Sequence, residues 1–141
     1  MEGGGRLVTE IILMPANQQG VESAKQCAQY MARALSSIGM KVREQISLCG
    51  GRADLQKAVA TALGRSNVVI VLGGLGPGQD YVTKNVLSQG LRLPLEQDGA
   101  CLEAIRSYCR RTGEPFSLED TPLSMVPKGA VVFPGQYGKT P

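Results

Sequence analysis

Gly73, Gly74, Gly76 and Gly78, followed by Asp80 and Thr83, are the residues of this chain whose types and spacing could do chemistry. They lie in the stretch NVVIVLGGLGPGQDYVT, Asn67 to Thr83, where an apolar run from Val68 to Leu72 feeds straight into the glycines. Apolar runs without alternation mark strands covered on both faces, as in parallel sheets. A glycine-dense turn leaving such a strand lets backbone amides approach a ligand closely, because no Cβ intervenes. Open α/β sheets hold their ligands there, outside the carboxyl ends of the strands. Four glycines within Gly73 to Gly78 exceed what one sharp turn requires. The candidate ligand-binding set is therefore Gly73, Gly74, Leu75, Gly76, Pro77, Gly78, Asp80 and Thr83, holding a phosphate or a planar heterocycle. The competing reading is a turn that merely needs positive φ. Asp80 is open in the same way, as an N-cap or as a carboxylate on a metal or a ribose hydroxyl.

The motif excludes two familiar chemistries. G-G-L-G-P-G does not fit the dinucleotide fingerprint G-x-G-x-x-G, and without a Gly-Lys-Ser/Thr ending it is not a P-loop. Histidine is absent, which removes the commonest general base near neutral pH and the commonest metal ligand. Cys27, Cys49, Cys101 and Cys109 show neither C-x-x-C pairing nor zinc-like spacing, and read as small hydrophobes in a reducing compartment. No metal site is assigned. The net charge of +3 is scattered, with Arg106, Arg110 and Arg111 as its nearest approach to a cluster, a poor basis for nucleic-acid binding. No apolar stretch reaches the ~20 residues that span a bilayer, and the start MEGGGRLV lacks a secretory apolar region. The expected compartment is the cytoplasm.

At 141 residues, 43% hydrophobic and 19% charged, the chain reads as one globular domain, 1–141, with residues 1–6 flexible. Leu7 to Met14 is a first strand. The loop PANQQG, Pro15 to Gly20, leaves its carboxyl end and should neighbour the glycine turn. Val21, Ala24, Ala28, Met31, Leu35 and Ile38 form one face of a long helix that Gly39 closes. Lys41 to Leu48 alternates like a strand nearer a sheet edge. Leu55, Ala58, Val59, Ala62 and Leu63 form the stripe of a second helix, Asp54 to Leu63, ended by Gly64. The glycine-turn strand is expected at the sheet's centre. A short helix from about Tyr81 to Gln89 follows, then a helix from Gly99 to Arg111 with Leu102, Ile105 and Cys109 inward. Thr112 to Leu123 reads as loop, Pro127-Lys128-Gly129 as a turn, and Ala130 to Phe133 as a last strand. Strands alternating with helices imply a mostly parallel sheet with helices on both faces, an α/β fold.

Several segments together resemble the molybdopterin-binding (MoaB/Mog) fold, and most closely the amino-terminal domain of CinA-type competence/damage-inducible proteins. T-E-I-I-L-M, Thr9 to Met14, looks like that family's opening strand. Ala28 to Val42 is similar to its first helix and following strand. S-N-V-V-I-V-L-G-G-L-G-P-G-Q-D-Y-V-T-K, Ser66 to Lys84, looks like its signature, which usually ends G-G-L-G-P-T-x-D-D-x-T. L-R-L-P-L and M-V-P-K-G-A continue the likeness in order, so that it covers the chain beyond its first few residues. The resemblance implies a three-layer α/β/α domain, often homo-oligomeric, that takes a pterin or a nucleotide. Relatives bind the pyranopterin of molybdenum cofactor or adenylate it with Mg-ATP, and CinA-type domains are associated with metal-dependent hydrolysis of ADP-ribose-like pyrophosphates. Relatives also run past Pro141 into a further strand and a Leu-Pro-Gly-type loop, so the carboxyl-terminal part of the family domain is expected to be missing here.

Against that pattern the acidic positions have changed. The family's opening glutamate falls on Asn17, its aspartate after the second strand on Gly50, and the second aspartate of its signature pair on Tyr81. Near the end, its Asn-Pro falls on Gly135-Gln136 and its threonine on Lys139. Gly73, Gly74, Gly76, Asp80 and Thr83 remain. A positioned acid or base is worth ~10²–10⁴-fold in rate, so three such losses argue against the family's metal-assisted chemistry. The expected function is a degenerate nucleotide- or pterin-binding or scaffold module with no assigned catalytic residue. The alternatives are a metal-dependent pyrophosphatase or adenylyltransferase, for which Mg²⁺ would be the cofactor, and a purely oligomerising domain.

Overall fold

The computed structural model describes residues 6–49, 51–74, 82–133, 135 and 138–140. The chain divides into two compact units, Met1–Gly73 and Gly74–Pro141.

The first unit is built on β1 (Val8–Met14), followed by α1 (Gln18–Ser37), β2 (Lys41–Ser47), α2 (Arg52–Leu63) and β3 (Val68–Gly73). All strand pairing is parallel, in the order β2-β1-β3. The centre of the described sheet is thus β1. The glycine-turn strand β3 pairs with β1 alone among the described residues, which corrects its expected central place. The reason lies in burial. Thr9 to Met14 are all buried, whereas Val68 to Leu72 are only half-buried. β2, with its alternating pattern and outward charges, takes an edge as its sequence predicts.

Ile11 and Leu13 on one face of β1 pack with Ala28, flanked by Ala24, Met31 and Leu35 of α1. The β1 side chains alternate, so Ile12 belongs to the other face, and α2 packs on β1 and β3 through its buried Leu55, Val59 and Ala62. The crossovers run to opposite sides of β1, and right-handed connections then place α1 and α2 on opposite faces. Ile38 and Leu63, expected in the buried stripes, are exposed, because each lies at a helix end beyond the sheet-facing turns. Near the amino end of the sheet Glu10 is buried but satisfied. Arg65 donates to both of its carboxylate oxygens, at 2.7 and 2.9 Å, and Ser66 donates at 2.7 Å. Arg65 also pairs with Glu44. The Arg65 hydrogen bonds, against the opposing effect of burial, hold the Glu10 carboxyl below its ordinary value.

The second unit contains α3 (Val82–Leu91), β4 (Leu95–Gln97), α4 (Gly99–Thr112), a 3-10 helix (Leu118–Ser124) and β5 (Met125–Pro127). β4 and β5 pair antiparallel, with Glu96 opposite Val126. The expected last strand over Ala130 to Phe133 is not formed; the strand is Met125–Pro127, because Leu95–Gln97 offers a partner there. The stretch read as loop up to Leu123 contains the 3-10 helix, which a Ser117–Asp120 capping box starts. Asp98 caps α4 by accepting from the Cys101 N–H at 2.7 Å, and Gly113 ends it at φ 76°. The inward face of α4 is Cys101, Ile105 and Cys109 rather than Leu102, which is half-buried. Ile105 and Cys109 pack with Leu123 and Phe116. Cys27 and Cys49, in the first unit, are exposed. No helix among the described residues is long and apolar enough to cross a membrane.

Candidate functional site

Parallel strands that leave one central strand toward both sides create a crevice at their carboxyl ends, where the chain order reverses. Here β1 is that strand, with β2 on one side and β3 on the other, and the last β1–β3 pair is Met14 with Gly73. The loop after Met14 and the turn after Gly73 therefore leave the sheet at the switch point. Sequence reasoning placed the glycine turn at a strand end, and β3 does end at Gly73, paired with Met14.

Each of the first two glycines has a steric reason. Gly73 stands at φ 96°, and a Cβ on it would lie 2.1 Å from the Met14 carbonyl oxygen. Only a residue without a side chain lets β3 end so close to the backbone of β1. Gly74, at φ 66°, begins the second unit, and a Cβ on it would lie 2.2 Å from the Thr83 hydroxyl oxygen. The Thr83 N–H donates to the Gly74 carbonyl at 3.3 Å. Thr83, buried in the first turn of α3, therefore fixes the turn's first residue from below. Leu75, Gly76, Pro77, Gly78 and Asp80, with Gly50 and Tyr81, lie outside the described residues.

Across the switch point, Asn17 is the N-cap of α1, its Oδ1 accepting from the Gly20 N–H at 2.8 Å. The side chain at the position of the family's opening glutamate is thus neutral and engaged with the helix. Lys139, at the position of the family's threonine, lies 3.2 Å from Asp120 and 3.6 Å from Glu114. Asp120 also accepts from the Ser117 backbone N–H at 2.8 Å, and this bond first, with Lys139 assisting, holds its carboxyl below the ordinary range against the effect of burial. Among the described residues no group of three or more histidine, cysteine, aspartate or glutamate side chains could hold a metal ion.

Lys84 is a residue that the sequence reading passed over. It directly follows Thr83, is half-buried, and donates to the Leu123 carbonyl at 2.7 Å. Burial lowers its pKa from the usual lysine value. Its sequence signal was only its adjacency to Thr83. The role the structure gives it is to tie α3 to the end of the 3-10 helix.

Comparison with known proteins agrees with this architecture. Residues 8–139 match the family model described as "Probable molybdopterin binding domain". Proteins of Bacillus cytotoxicus and Symbiobacterium thermophilum that carry the name competence-damage inducible protein are each 35% identical over 114 residues. Those matches cover 81% of this chain but only 28% and 27% of the two relatives, so the chain spans about a quarter of their length. In structure, the protein CinA of Thermoplasma acidophilum superposes with a TM-score of 0.79 at 19% identity, over 96% of this chain and 79% of that one. The chain belongs to the molybdopterin-binding (MoaB/Mog-like) domain family, and its relatives are CinA-type competence-damage inducible proteins.

Proposed function

We propose that this chain is a ligand-holding module of the CinA-like type, which cradles a phosphate-bearing nucleotide or a pterin at Gly73 to Gly78 without the family's metal-assisted chemistry. The observation that carries the reading is Asn17. At the carboxyl end of β1, facing the switch point from the strand next to the glycine turn, the side chain is a neutral amide engaged in capping α1. A carboxylate there would be available to a metal; an amide bonded to the Gly20 N–H is not. The glycine geometry supports the holding half of the proposal, since Gly73 and Gly74 keep the backbone in a conformation that L side chains resist. Asp80 and Thr83 assist, the first as an acceptor for ribose hydroxyls, the second by fixing the turn.

The test is a calorimetric titration with AMP, ATP, ADP-ribose and a pterin, with and without Mg²⁺, alongside a turnover assay. Saturable, metal-independent binding without turnover, lost in Gly76→Val, is the expected result. Mg²⁺-dependent turnover that Asp80→Asn abolishes would overturn the proposal in favour of an enzyme.

A further inference from the structure

The second unit contains a surface cavity of about 560 Å³, and among the described residues neither Gly73, Gly74 nor Thr83 lines it. One wall is a face of α4; the other is the segment carrying Val132, Gly138 and Lys139. The volume lies within the ~300–1,000 Å³ typical of small-molecule pockets. Its floor is open because the α4 side chains there are small, Ala100 and Ala104 above all, while Ile105 and Val132 supply apolar surface.

The charged groups of the lining lie at different places along it. The Asp98 carboxylate, at the amino end of α4, accepts from the Cys101 N–H and keeps its charge. Lys139 is paired with Asp120 and Glu114. In the last turn of α4 the Arg111 guanidinium has no carboxylate partner among the described residues and lies 5.7 Å from the centroid of the Tyr108 ring. Both line the cavity. A guanidinium held over an aromatic ring presents its N–H fork in a fixed plane, the geometry that carboxylates and phosphates accept bidentately. The phenol hydroxyl of Tyr108 adds a second donor.

We infer that the cavity lined by α4 together with Val132, Gly135, Gly138, Lys139 and Thr140 binds a small organic anion, its carboxylate or phosphate on Arg111 and Tyr108 and its apolar body against Ala104, Ile105 and Val132. The inference rests on the lining of this cavity and not on the proposed function.

The test is NMR titration of the ¹⁵N-labelled 141-residue chain with benzoate and phenyl phosphate, with benzylamine as the control of opposite charge. Both anions should shift the amides of Cys101 to Arg111 saturably, and benzylamine should leave them unmoved. Ala104→Leu, at an exposed helical position, should fill the floor and abolish the shifts with the spectrum otherwise intact. Arg111→Gln should weaken both anions about tenfold or more, the worth of a charge-assisted hydrogen bond. Equal shifts with benzylamine, unaltered anion affinity in either variant, or no saturation with either anion would each overturn the assignment.

Discussion

Gly73 and Gly74 are adjacent, both at positive φ, yet adding one methyl group to each should produce separable effects. In Gly73→Ala the new Cβ meets the backbone of β1, 2.1 Å from the Met14 carbonyl oxygen. An L side chain in the left-handed region costs ~1–2 kcal/mol. Overpacking that forces a backbone shift costs ~1–3 kcal/mol more. A total of about 2–5 kcal/mol is expected, and no side-chain change should relieve it, because the obstacle is main chain of the central strand. In Gly74→Ala the obstacle is the Thr83 hydroxyl at 2.2 Å. Thr83→Ala removes that oxygen and leaves the Thr83 Cβ at 3.3 Å, close but tolerable after a small adjustment. The Gly74→Ala/Thr83→Ala double variant should therefore be less destabilised than the sum of its singles by about 1–2 kcal/mol, the residue being conformational strain. Urea unfolding of the three single variants and of the Gly73→Ala/Thr83→Ala and Gly74→Ala/Thr83→Ala doubles, with midpoint and slope compared, measures this. If Thr83→Ala relieves Gly73→Ala as much as it relieves Gly74→Ala, or relieves neither, the steric account of the turn is wrong.

Three further outcomes are expected. Glu10 has its folded pKa depressed from 4.5, first by the Arg65 hydrogen bonds, so its contribution to stability is present above that pH and is lost as pH falls through the lower folded value. Glu10→Gln should therefore flatten the decline of the urea midpoint below about pH 4.5 relative to the parent. The Thr9 hydroxyl is buried with no hydrogen-bond partner among the described residues, and Thr9→Val should leave stability unchanged or raise it by up to ~1–3 kcal/mol, read from thermal unfolding; a loss of stability would show that the hydroxyl has a partner. Asp98→Ala should cost ~0.5–2 kcal/mol through loss of the α4 cap, measured by urea unfolding, and Asp98→Asn or Asp98→Ser should recover most of it.

The βαβαβ order of the first unit was legible because its signals are local: the three-and-four spacing of α1, the glycines that close it, and the apolar run of β3. The start of α1 was legible too, in Asn17, but apolar periodicity pointed to Val21 and the cap was overlooked. Which strand lies at the centre was not legible. Val68 to Leu72 is as apolar as Ile11 to Met14, and only pairing on both sides separates them. The error over the last strand has the same origin. Ala-Val-Val-Phe is the better strand former in isolation, yet Met125–Pro127 is the segment opposite Leu95–Gln97, and a proline at the end of a two-stranded ladder loses little. At the candidate site, the need for glycine at positions 73 and 74 was legible in the glycine run, and both stand at positive φ. The engagement of Asn17 with α1 and of Lys139 with Asp120 could not, because each depends on geometry that no spacing encodes.

The division of the chain between Gly73 and Gly74 also bears on how it is made. Every strand of the described parallel sheet, and both helices that cover it, precede that point. At ~5–20 residues per second of synthesis, the ribosome needs roughly 3–14 s more to add residues 74–141. A sheet of this size can form within seconds, so the parallel sheet is expected to be in place about when the last residues of the second unit are being added.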